Sequence, residues 1–195
     1  MRGMEPRTDE QFDELRAVGI ERVLIFKNST NNHPVSEEID HWNLPEADLL
    51  HVPFRWKDHG GFQDPCEQTV VALGFIRESE ETSRPVFYHC TVGEDRTGYL
   101  AALYAMLYYG ADPRTAFAED MCERGYSRGN PQKPYYVTGK LSGEMTPLYR
   151  SMAYLVSQGI LDSELDPEVC ATEPTVPEDF LSGTLRCGVS TNLVP

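Results

Sequence analysis

The stretch "FYHCTVGEDRTGYL", residues 87–100, closes an apolar run with His89 and Cys90. It then turns through Thr91, Val92, Gly93, Glu94 and Asp95 to Arg96, Thr97, Gly98 and a long apolar segment. An apolar run, a tight loop and an apolar helix in that order place Cys90 at the carboxyl end of a buried strand, where open parallel sheets bind ligands. The start of the helix presents free backbone N–H groups and the positive end of its dipole, a setting for an anion. Gly93 lets the loop curl so that successive N–H groups point inward. Arg96 adds a planar fork matched to two phosphate oxygens. The same positive field favours the thiolate of Cys90, which under a bound phosphate is a nucleophile aimed at phosphorus. The Thr97 hydroxyl is placed to hydrogen-bond that sulfur as it leaves again.

The chain carries its own control. "CERGYSR", residues 122–128, repeats the Cys, Gly and Arg spacing. No strand precedes it and Gly-Asn-Pro follows Arg128, so it has no reason to face an anion, and Cys122 reads as a partly buried helix residue.

Working outward, Thr8 and Gln11 resemble a capping box ahead of Phe12, Leu15 and Val18, a helix ending at Gly19. "RVLIF", 22–26, is a buried strand followed by the polar loop "KNSTNNHP". "DLLHVPF", 48–54, and "PVFYH", 85–89, read as further strands, with a helix from about Pro65 to Glu80 between them. Such alternation argues a single α/β domain, a central mostly parallel sheet flanked by helices. "GYLAALYAMLYYG" reads as a central buried helix. "DPRTAFAEDMCERG" and "TPLYRSMAYLVSQG" read as two more, separated by a long ordered loop over 125–145. The expected domain spans 1–161, and 162–195 reads as an acidic tail lying on the surface or partly disordered.

The 195 residues carry a formal net charge of −14, which argues against nucleic-acid binding. No apolar stretch approaches the length of a membrane span. The N-terminus "MRGMEPRTDEQ" has no apolar signal region, so the expected compartment is cytoplasmic, or outside the cell if a presequence has been removed. The five cysteines show no metal-type spacing, and their odd number leaves at least one free thiol among Cys66, Cys90, Cys122, Cys170 and Cys187. Composition leaves their pairing and the oligomeric state open.

"HCTVGEDRTG", 89–98, resembles the His-Cys-x5-Arg-Thr-Gly signature of the protein tyrosine phosphatase superfamily, and the surrounding order of elements is similar to its compact dual-specificity branch. The resemblance covers about 9–158. It implies a phosphocysteine intermediate, no metal and no cofactor, with Cys90 as nucleophile, Arg96 as phosphate clamp, Thr97 assisting release, residues 91–96 cradling the phosphate and His89 supporting the loop. "FRWKDHGGFQDP", 54–65, is similar to the family's tryptophan-proline-aspartate loop. Trp56, Asp58, His59 and Gly60 match it, while Lys57 replaces the proline. Asp58 is thereby the expected general acid, with Asp64 as the fallback. Gln132 is the candidate for the family's water-positioning glutamine.

The implied substrates are a phosphorylated protein or a small polyphosphorylated ligand. Glu94 and Asp95 stand inside the loop, where relatives acting on inositol lipids often carry lysine, so by the resemblance Glu94 counts against a lipid substrate. Within 121–150, Arg124, Arg128, Lys133, Lys140 and Arg150 outnumber Glu123 and Glu144. A substrate rim of Arg55, Lys57, His59, Arg128 and Lys133 would favour an inositol polyphosphate over phosphotyrosine.

Overall fold

A computed structural model of the chain describes residues 1–30, 34–183 and 185–188. Residues 31–33 of the expected polar loop, and 184 and 189–195 of the expected tail, lie outside the described residues.

Four parallel strands form one sheet in the order β1-β4-β2-β3: β1 (Arg2–Met4), β2 (Arg22–Phe26), β3 (Leu49–Val52) and β4 (Val86–Cys90). All five residues of β2 are buried, so its sides alternate between two apolar layers. Val23, Ile25 and Phe87 face Phe12 of α1 (Asp9–Ala17) and Val35 and Trp42 of α2 (Val35–Trp42). Leu24, Phe26 and Val86 face the larger core, built from α3 (Gln63–Glu81), α4 (Asp95–Tyr109) and α7 (Thr146–Ser157). Thr8 caps α1, its hydroxyl accepting from the Gln11 N–H at 3.4 Å. α4 is buried almost throughout and ends at Gly110 in the left-handed region, φ 66°.

Several elements depart from the sequence reading. β1 pairs in parallel with β4, setting Met4 opposite Cys90. α2 buries Val35, Glu38 and Trp42, and the buried carboxylate breaks the apolar pattern that would announce the helix. The expected helix after α4 runs only over α5 (Pro113–Ala116), then widens through Phe117–Met121 and tightens over Cys122–Arg124. Residues 125–145 are not one loop: α6 spans Tyr135–Lys140, and a wide turn over Leu141–Met145 leads into α7.

Beyond 161 most described residues are exposed, while Leu165, Cys170, Leu181 and Cys187 anchor the segment in the main core. Disulfides Cys66–Cys170 and Cys122–Cys187, with Cα–Cα distances of 5.5 and 5.2 Å, tie it to α3 and to the turn after α5. Cys122 is therefore a cross-linked residue, and Cys90 is the free thiol.

Candidate active site

β4 ends at Cys90, 1% exposed, and α4 begins five residues later. The loop between them is shaped by Gly93, at φ 72°. A side chain there would put its Cβ 2.5 Å from the backbone carbon and oxygen of Gly3, so the loop lies directly on β1. Glycine is required twice over, for its positive φ and for this approach.

Arg96, 6% exposed, reaches back across the loop. Its Nη1 donates to Asn28 Oδ1 at 3.2 Å and to the Phe54 carbonyl at 3.1 Å, and its Nη2 donates to Thr91 Oγ1 at 3.0 Å. Three of its five N–H donors are thus spent on fixing the guanidinium. Nε–H and one Nη2 hydrogen have no partner among the described residues, an edge able to meet two phosphate oxygens. Thr97 is fully buried in the first turn of α4, its hydroxyl without a hydrogen-bond partner among the described residues. Val92 is half exposed on the outer side of the loop.

Beneath Cys90 runs a buried chain of charges. His89 Nδ1 lies 3.2 Å from the Cys90 carbonyl, and its Nε2 is 2.7 Å from Glu38 Oε1. Glu38 Oε2 is 3.1 Å from Lys27 Nζ, and Lys27 also bonds Glu5. Burial works against the Glu38 carboxylate, but His89 and the Lys27 ammonium outweigh it and hold its carboxyl below the usual range. His89 thus links the Cys90 carbonyl to this chain, whose other members, like Asn28, the sequence reading missed. Asn28 was findable as the second residue of a polar loop at the end of a strand. Glu5 and Glu38 carried no local signal.

The two loop acids are answered by one cation. Lys133 Nζ is 2.9 Å from Glu94 and 2.5 Å from Asp95, and it donates to the Gly125 carbonyl at 2.9 Å. Asn130 donates to Glu94 at 3.0 Å and the Ser127 N–H to Asp95 at 3.3 Å. Burial pushes the Asp95 carboxyl up, with Lys133 opposing it. The Lys133 side chain is only 6% exposed, so it is a clamp on the loop rather than part of a substrate rim.

The remaining expected residues scatter. Asp58 is exposed at φ 56°. Its carboxylate is 3.2 Å from Lys140 Nζ and 3.9 Å from Lys57, and its N–H donates to Glu144. The loop carrying Asp58 thus meets α6 and the turn after it through exposed contacts, each worth only ~0–1 kcal/mol. Trp56 packs partly buried on the core, with Lys57 Nζ 5.3 Å from its ring. Burial pushes the His59 imidazole down, with Glu144 and Asp58 pulling the other way. A cavity of about 340 Å³ beside Asn28, the partner of Arg96, is lined by Arg55, His59, Asp64 and Gln68. Arg128 lines a different cavity, and Gln132 is exposed, its N–H bonded to Asn130.

The sequence matches the model of the tyrosine phosphatase family over residues 3–120, from β1 to the turn after α5. No curated protein matches it. Among solved structures, the PTP-2 phosphatase of Cydia pomonella superposes with a TM-score of 0.51 at 20% identity, covering 71% of this chain and 80% of that one. A mutant form of Tk-PTP gives 0.54 at 19% identity, over 80% and 91%. PTPMT1 gives 0.51 at 12% identity, over 81% and 91%. At these identities the likeness is one of fold.

Proposed function

The chain belongs to the tyrosine phosphatase family and is a phosphatase, and from that premise we propose that it hydrolyses phosphotyrosine, alone or with dual specificity, in proteins through Cys90. The observation that carries this is the buried Cys90 thiol at the end of β4, with Arg96 anchored across the same loop by Asn28, Phe54 and Thr91. Cys90 Sγ attacks phosphorus as the bond to the leaving oxygen breaks. Asp58 gives that oxygen its proton, and the phosphoryl group is held by the loop N–H groups and the open edge of Arg96. Water then attacks phosphorus, Asp58 takes a proton from it, and the P–S bond breaks. Sulfur leaves as thiolate, accepting from the Thr97 hydroxyl, and inorganic phosphate departs.

Asp58 must swing from Lys140 to perform this step, so its loop works as a flap. Asp64 beside Asn28 is the alternative acid. The protein substrate is favoured over an inositol polyphosphate because the expected basic rim is dispersed. Lys133 is spent on Glu94 and Asp95, Arg128 lies elsewhere, and Arg55 alone of the arginines and lysines expected there lines the cavity by Asn28. Turnover of a phosphotyrosine peptide against inositol hexakisphosphate, with Cys90→Ser as the blank, tests the reading. Faster turnover of the inositol compound would reverse the substrate assignment.

A further inference from the structure

A cavity of about 410 Å³ opens between the turn at 126–128, the start of α7 and the cross-linked tail. Its wall includes Ser127, Arg128, Ser142, Thr146 and Arg186. Its lining holds two arginines and four hydroxyl-bearing residues, Tyr126 being the fourth, and no acid. That is against the composition of a chain with 31 acids and 17 bases. Most of the buried or packed cations here are matched to acids: Arg22 to Glu78, Lys27 to Glu38, Arg84 to Asp48, Lys133 to Asp95. Arg128 and Arg186 are exposed cations on this wall, with neither an ion pair nor a hydrogen bond among the described residues. Arg186 also borders a neighbouring cavity holding Glu173 and Glu178, yet neither comes within 4.0 Å of it.

Arg186 is the single basic residue after Arg150. It is carried to this place by its neighbour Cys187, bonded to Cys122 at the head of the turn that ends in Arg128. The disulfide therefore brings Arg186 to the cavity wall that also carries Arg128. We propose that this cavity is a second anion site, binding a phosphate group through the forks of Arg128 and Arg186 and the hydroxyls beside them. It communicates with the nucleophile loop through Ser127, whose N–H bonds Asp95. The chemistry is that of a phosphate dianion. It arrives either as a second phosphate on one substrate or as free inorganic phosphate, the product of the reaction. The first source would make a doubly phosphorylated peptide the preferred substrate, which rests on the phosphatase reading of Cys90; the site itself does not.

Titration of the full-length Cys90→Ser protein with inorganic phosphate tests the site. Two equivalents should bind, and one of them should be lost in Arg128→Gln/Arg186→Gln but kept when both arginines become lysine. Turnover of doubly against singly phosphorylated peptide, in protein retaining Cys90, identifies the source. If the second phosphate belongs to the substrate, the glutamine pair lowers the preference for the doubly phosphorylated peptide about tenfold. If it is free phosphate, the preference stays and only the stoichiometry falls. Equal stoichiometry in native and glutamine proteins, with an unmoved preference, overturns the proposal. Activity surviving in Cys90→Ser would instead overturn the catalytic reading and leave the titration meaningful.

Discussion

Glu94 and Asp95 bring two carboxylates to a loop built to hold an anion, and Lys133, 2.9 and 2.5 Å from them, offsets their charge. Lys133→Met leaves both acids without their cation, and removing one partner of a buried pair costs about 3–5 kcal/mol. The sign of its pH dependence follows from Asp95, whose carboxyl burial raises. An acid raised in the folded state favours folding below its unfolded value of ~3.9 and loses that contribution as pH rises through the folded value. The deficit of Lys133→Met should therefore be largest near neutrality and shrink as pH falls towards ~4. Urea unfolding at the two pH values checks this, and an equal deficit at both contradicts it. Glu38 behaves oppositely. Its carboxyl is held low, so its contribution is present above ~4.3 and lost as pH falls through its folded value. Glu38→Gln should cost stability at pH 7 and little in acid. An acid-side loss as large as the neutral one would remove Glu38 from the account of the His89 chain.

The nucleophile loop and the acid loop are elements of different character. Gly93→Ala places a Cβ against Gly3 at a φ that L-residues rarely hold. It should cost about 1–3 kcal/mol and lower turnover far more than stability alone explains. Retained activity would mean that β1 does not shape the loop. In the other loop Trp56 packs on the core, but Asp58 itself is tethered by exposed contacts to Lys140 and Glu144. Asp58→Asn should lose ~10²–10⁴ in rate on esters with poor leaving groups and much less where the leaving oxygen needs no proton. An even loss would shift the role to Asp64.

The strand, loop and helix around Cys90 were legible because their signals are local: an apolar run, a glycine, an arginine and another apolar run. β1 was not, since "RGM" has no strand pattern and its pairing with Tyr88, His89 and Cys90 spans most of the matched region. Nor was the use of Lys133, because the acids that claim it lie far away in sequence. The place of Asp58 was readable as a type of residue in a type of loop, but not its rest position on α6.

At the scale of the whole molecule, the tail is cross-linked to the domain at two points. It closes loops of 104 and 65 residues through Cys66–Cys170 and Cys122–Cys187 and adds Leu165 and Leu181 to the core. Spacing alone could not reveal these pairs, because the partners lie 104 and 65 residues apart and no local pattern links them. Replacing Cys66 and Cys170 together by alanine should cost about 2–4 kcal/mol and lower the melting temperature by roughly 5–15 °C. An unchanged melting temperature would mean that the tail's apolar contacts suffice. The central claim is chemical, however, and covalent. Turnover of a phosphotyrosine peptide quenched in acid, followed by peptide mass analysis, should find phosphate on the peptide carrying Cys90 and none in Cys90→Ser. Phosphate on another residue, or turnover undiminished in Cys90→Ser, would contradict it.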